Sequence, residues 1–416
     1  MSRVLFVVPP LVGHVNPTVG VAGELTARGH TVAWAGVPEL VGALAGPRAE
    51  VLPCAVPSGQ EAQRPPELRG PAALKFLWEA FLVPLAEAMA PGVEAAVRRF
   101  RPDLLVVDQQ AVAGALVAER LGLPWATSAT TSAEFTGALS GMPLVDGWIR
   151  GLLGDLRGRL GDPAQGGDPR FSPRLTLAFT TAELTGPLGP PPGPIRFVGP
   201  SITTRPTAAD FPWPWLDPHR ATVLVTLGTA NGDTGTAFLT ACRQAVRARA
   251  GRLQAVVVDP GRALGDPAPD PDVLVLPSVP QLPLLARTAA VICHAGHNTV
   301  CEALWHGVPL VVAPIRDDQP VVAGQVAAAG TGVRVRFGRV DATRIGRALD
   351  AVLDDPAHRG AARRIGASFR TAGGASAAAT HLERLVTAEP AAEPAADPAT
   401  EAVEHVTHPG PRTGRT

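Results

Sequence analysis

Between residues 294 and 319 the chain gathers His294, Gly296, Asn298, Thr299, Glu302, Asp318 and Gln319, side chains able to hold a phosphorylated, polyhydroxylated ligand. His294, Asn298 and Thr299 can donate hydrogen bonds to phosphate oxygens. Ionised Glu302 can only accept, which suits a hydroxyl such as those of a ribose. Asp318 beside Gln319 sets a carboxylate next to an amide, a pairing made for sugar hydroxyls. Far away in sequence, His14 offers an imidazole that titrates near neutral pH and can take a proton from a hydroxyl. Asp108 offers a carboxylate that can meet it.

These side chains need elements to place them. Residues 290–293 read as a short buried strand, Asn298 begins a helical pattern that Gly307 stops, and residues 308–313 read as the next buried strand. Residues 294–297 then form a glycine turn between a strand end and a helix start. There unpaired backbone N–H groups and the positive end of the helix dipole favour phosphate. Glu302 lies three or four residues beyond Asn298 and Thr299, on the same helix face. In the first half, residues 3–8 form a strand and residues 9–14 a loop. The spacing predicts a helix that starts at Asn16-Pro17, with Asn as cap, and stops at Arg28-Gly29. Residues 31–35 give a second strand, and residues 104–107 another that ends in Asp108. His14 and Asp108 both fall at strand C-termini, the ligand edge of a doubly wound parallel sheet.

Composition bounds the rest. The chain has 416 residues, long enough for two domains, and 46% of them are hydrophobic, enough for two cores. Its 37 basic and 37 acidic residues leave no field for nucleic acid or an acidic membrane surface. Cys54, Cys242, Cys293 and Cys301 are scattered or lie in core-like segments, as reduced thiols of a cytoplasmic protein would. Residues 1–10 run straight into a strand with no cleavage pattern, and no uncharged apolar stretch reaches the length of a membrane span.

His294-Ala-Gly296-x-Asn298-Thr299-x-x-Glu302, followed by Gly-Val-Pro and Asp318-Gln319, resembles the donor-binding signature of family 1 nucleotide-sugar-dependent glycosyltransferases with the GT-B fold. It is most similar to their bacterial macrolide and natural-product branch. The resemblance implies two Rossmann-like doubly wound α/β domains facing each other across a cleft. We expect an acceptor-binding domain at 1–200, a linker at 201–220, a nucleotide-sugar-binding domain at 221–375, a C-terminal helix at 376–387 and a disordered tail at 388–416.

Residue by residue, Gly13-His14-x-x-Pro17 matches the motif whose histidine is the general base, and Asp108 resembles its carboxylate partner. Gly228-Thr229 matches the loop that approaches the donor phosphates, and Gln281 matches the base-binding Pro-Gln. Ser278 stands where many members carry a tryptophan, which leaves UDP and dTDP both open. The implied activity is inverting transfer of a hexose or deoxyhexose from a UDP- or dTDP-sugar to a hydroxyl of a lipophilic small molecule of polyketide, macrolide or terpenoid type. No metal and no cofactor beyond the nucleotide sugar is expected. Asp270-Pro-Asp272 reads as turn-forming aspartates, and the Cys293, His294, His297, Cys301 quartet as strand and helix residues, rather than as metal sites. Two other readings remain: a nucleotide-sugar epimerase, and a non-catalytic auxiliary protein that binds a nucleotide sugar or aglycone. Acceptor, sugar and oligomeric state are not legible.

Overall fold

The computed structural model describes residues 1–57, 65, 68–188, 193–203, 210–228, 235–265 and 270–387. Its architecture is two parallel sheets with helices packed on their faces. The first sheet has seven strands, β1 (Arg3–Val7), β2 (Thr31–Gly36), β3 (Val51–Pro53), β4 (Leu104–Asp108), β5 (Trp125–Ala129), β6 (Thr176–Ala178) and β7 (Ile195–Phe197), in the order β3-β2-β1-β4-β5-β6-β7. The second has six, β8 (Ala221–Thr226), β9 (Leu253–Val258), β10 (Val273–Leu276), β11 (Ala290–Cys293), β12 (Leu310–Val312) and β13 (Gly332–Arg334), in the order β10-β9-β8-β11-β12-β13. Strands buried on both faces read as continuous apolar runs. Val223, Leu224, Val225, Val291 and Ile292 are fully buried, as parallel strands under two helical layers require.

Strand order reverses between β1 and β4 in the first sheet and between β8 and β11 in the second. At such a switch point the following loops diverge to opposite faces and open a crevice at the strand C-termini. Residues near 14 and 108 therefore share one crevice, and residues near 228 and 294 share the other.

Local structure departs from the expected pattern at the base loop. The helix runs Val12–Ala27, so Asn16 and Pro17 lie inside it, and Asn16 is not its cap. The chain turns directly out of β1, with the N–H groups of His14 and Val15 bonded to the Leu11 carbonyl. Two strands, β3 and β13, lie in segments without an apolar alternation long enough to mark them.

The helical run Gly70–Phe100 is the one described segment long and apolar enough to cross a membrane. Its residues Phe81, Leu85, Met89, Val93 and Phe100 are instead buried in the core beneath the first sheet. The last described helix, Gly374–Thr387, returns to the first half and packs on Val12–Ala27. Glu383 is held there by Arg28 at 2.8 Å and His30 at 3.0 Å. Residues 388–416, with His405 and His408, lie outside the described residues.

Candidate functional site

Strands β1 and β4 pair in register from Val4–Leu104 to Val7–Val107, so their ends coincide. His14, in the first turn after β1, places Nδ1 at 2.9 Å from Oδ1 and 3.0 Å from Oδ2 of Asp108, the last residue of β4. β5 lies on the other side of β4, and Thr130 just beyond it places Oγ1 at 2.8 Å from His14 Nδ1. The same hydroxyl donates to Asp108 Oδ2 at 2.8 Å. The Gln110 backbone N–H donates to Oδ1 at 2.8 Å. Asp108 is thus fully buried and saturated with donors, which is what a buried carboxylate needs.

Nδ1 of His14 donates to this carboxylate, which leaves the Nε2 lone pair free for a proton. Burial works against the imidazolium, but the charge and hydrogen bond of Asp108, with smaller contributions from Asp318 and Glu134, outweigh it. The net effect raises the His14 pKa above its usual value. Such a histidine, oriented by a buried carboxylate, can act as a general base.

On the other side, β8 and β11 end together, with Thr226 opposite Cys293. His294 follows β11, and its ring packs against Gly228 and Gly296. A Cβ on Gly228 would stand 2.7 Å from His294 Cε1, and the Gly228 φ of +72° also favours glycine. Burial, with a contribution from Arg316, pushes the His294 pKa down to about 4, so at neutral pH the ring is an uncharged donor. Ala295 takes a φ of 67°, a strained left-handed conformation for a residue with a side chain, at the turn into the helix His297–Trp305.

The remaining expected site residues divide. Gln281 and Glu302 meet, the Gln281 amide donating to Glu302 Oε2 at 2.7 Å, with Glu302 almost fully buried. Asn298 spends one amide N–H on the Gly13 carbonyl at 2.6 Å, across the cleft, and its amide carries a second. Gln319 accepts from the backbone N–H groups of Ile315 and Arg316 through Oε1, so only its NH2 group remains to offer. Asp318 Oδ2 accepts from Thr131 at 2.6 Å, and burial raises its pKa. Thr299 is partly exposed and Ser278 exposed. Thr229 lies outside the described residues.

A narrow crevice joins the halves, lined by Pro17, Phe179, Pro200, Ser201, Ile202, Asn298, Cys301 and Glu302. Thr130 and Thr131 belong to the site although the pattern did not single them out. The available signal was a run of hydroxyl residues, 130–132, directly after a strand C-terminus. Asp270 and Asp272 are engaged by Arg247 and Arg220. Among the described residues no three His, Cys, Asp or Glu side chains gather as a metal site.

Comparison with known proteins adds the following. Residues 246–385 match the family model described as erythromycin biosynthesis protein CIII-like, C-terminal domain. The chain is 31% identical to the 4'-demethylrebeccamycin synthase of Lentzea aerocolonigenes, over 88% of its own length and 94% of that protein. It is 30% identical to the demethyllactenocin mycarosyltransferase of Streptomyces fradiae, over 93% and 87%. The spinosyn rhamnosyltransferase SpnG, in a structure complexed with thymidine diphosphate, shares the fold with a TM-score of 0.71 at 24% identity, covering 92% of this chain and 100% of that one.

Proposed function

Because the chain belongs to the nucleotide-sugar-dependent glycosyltransferases of GT-B fold, in their bacterial natural-product branch, we propose that it transfers a hexose or deoxyhexose from a UDP- or dTDP-sugar to a hydroxyl of a lipophilic acceptor, with inversion and without a metal. The observation that carries this reading is the His14–Asp108 pair, whose free Nε2 stands at the ligand edge of the first sheet.

In this scheme the acceptor O–H gives its proton to His14 Nε2 as its oxygen attacks the anomeric carbon. The new C–O bond forms on one face while the bond to the β-phosphate oxygen breaks on the other, which inverts the centre. Asp108 stabilises the imidazolium without taking the proton. The nucleoside diphosphate departs toward His294, the second N–H of Asn298 and the first N–H groups of the helix His297–Trp305, donors already oriented before charge develops. Glu302 and Gln281 receive the ribose and base, and Asp318 with the Gln319 NH2 group receives the sugar. The thymidine diphosphate held by SpnG makes dTDP the first nucleotide to try.

The test is thermal unfolding with UDP, dTDP, GDP and ADP, each with and without EDTA, followed by a transfer assay with the matching sugar. A nucleotide at about 100 times its dissociation constant adds about 2.7 kcal/mol. We expect a selective shift with dTDP or UDP that EDTA leaves intact, and sugar consumption only when acceptor is present. Absence of any shift, or conversion of the sugar nucleotide without acceptor, overturns the reading.

A further inference from the structure

The helix that carries the base contains a proline five residues after its start, and the structure gives that proline a task. Pro17 has no N–H, so the carbonyl four residues back, that of Gly13, receives no hydrogen bond from position 17. The pyrrolidine ring also crowds that carbonyl, which tilts outward where a proline sits inside a helix. Gly13 immediately precedes His14. The Asn298 amide of the second half donates to this carbonyl at 2.6 Å, and Pro17 and Asn298 line the same crevice.

We propose that Pro17 is a positioning residue: by releasing and tilting the Gly13 carbonyl it creates the acceptor that Asn298 takes, and so holds the base loop in register with the phosphate loop. This rests on the reading of His14 as base and of residues 294–302 as donor site. The Asn298 nitrogen has two N–H groups. With one fixed on Gly13, the other is oriented for a phosphate oxygen, so the contact that sets the distance between the two loops also aims a donor. An alanine at position 17 supplies the missing N–H and removes the ring. The Gly13 carbonyl then turns back along the helix axis and away from Asn298.

The experiment is a double-mutant cycle of Pro17→Ala, Asn298→Ala and the pair, measured as kcat, KM for the sugar nucleotide and nucleotide-induced shift in unfolding midpoint. Because a small misplacement of reacting groups is costly, Pro17→Ala should lower kcat by about 10-fold. Its midpoint shift with nucleotide should shrink toward that of Asn298→Ala, since the released amide no longer holds its second N–H toward the phosphate. The pair should be no slower than Asn298→Ala alone, because both substitutions remove one contact. Wild-type kcat in Pro17→Ala, or losses that multiply in the pair, overturns the proposal. His14→Ala is run beside them: if it is inactive while Pro17→Ala is unchanged, the base assignment stands and only the role of Pro17 falls.

Discussion

Thr131, at the ligand edge of the first sheet, donates a 2.6 Å hydrogen bond to Asp318, which precedes the helix Gln319–Ala328 of the second half. The bond favours the ionised form of Asp318, whereas burial disfavours it and raises its pKa overall. Removing the hydroxyl with Thr131→Val takes away a stabiliser of the charge, so the Asp318 pKa should rise further. The acid limb of sugar-nucleotide affinity against pH, measured as a dissociation constant so that the His14 base does not enter, should then move to higher pH. An unchanged acid limb would show that Asp318 is not the group whose ionisation donor capture requires.

The dyad itself makes a graded prediction. General-base assistance is worth about 10² to 10⁴-fold, so His14→Ala should lower kcat by that much with little change in nucleotide binding. Thr130→Val keeps the shape of the side chain and removes the hydroxyl that lies 2.8 Å from both members of the pair. It should cost about 10-fold, with Thr130→Ser restoring most of the loss, because a charge-assisted hydrogen bond is worth roughly 1.5–3 kcal/mol. Valine and serine variants with equal kcat would reduce Thr130 to packing.

Much of this was legible because the chemistry sits where periodicity changes. A buried apolar run followed by polar or glycine residues and then a helical pattern announces a strand end and a helix start, which places His14, Asp108 and His294 at sheet edges. Other features were not. β3 and β13 are three residues each and owe their pairing to neighbouring strands rather than to their own pattern. Asn16-Pro17 looks like a helix start because those residue types favour one, yet the tight turn out of β1 begins the helix earlier. The partners of Asn298 and Asp318 come from the opposite half, 285 and 187 residues away. Nothing in a local window encodes such pairs, and so Asn298, expected to meet a phosphate, is also a tie between the halves.

Burial pushes the pKa of both His294 and His297 down to about 4. From pH 6.5 to 4 the unfolded chain therefore binds protons that the folded chain refuses, and stability falls on acidification. His14 acts in the opposite sense: its raised value contributes stability that is present below 6.5 and lost as pH rises through the folded pKa. Replacing one of the depressed histidines isolates its share. His297→Gln should flatten the fall in unfolding free energy between pH 6.5 and 4 by up to about 1.4 kcal/mol per pH unit. Parallel curves for the variant and the wild type would mean that His297 is not held neutral in the fold.

Gly228 meets two demands at once, a φ of +72° and a ring of His294 where a Cβ would stand at 2.7 Å. The left-handed conformation alone costs a residue with a side chain about 1–2 kcal/mol. The overlap then forces the imidazole away from Gly296 and from the helix start it serves. Gly228→Ala should therefore lower the unfolding midpoint and, beyond that, shrink the nucleotide-induced shift. The acid limb of the pH–rate profile, which the His14 base sets, should stay in place, because the His14–Asp108 pair belongs to the other sheet. Scanning calorimetry with and without dTDP or UDP, beside the profile, separates these effects. A variant that is less stable yet shows the full nucleotide shift would leave the glycine a purely structural role and take His294 out of the phosphate site.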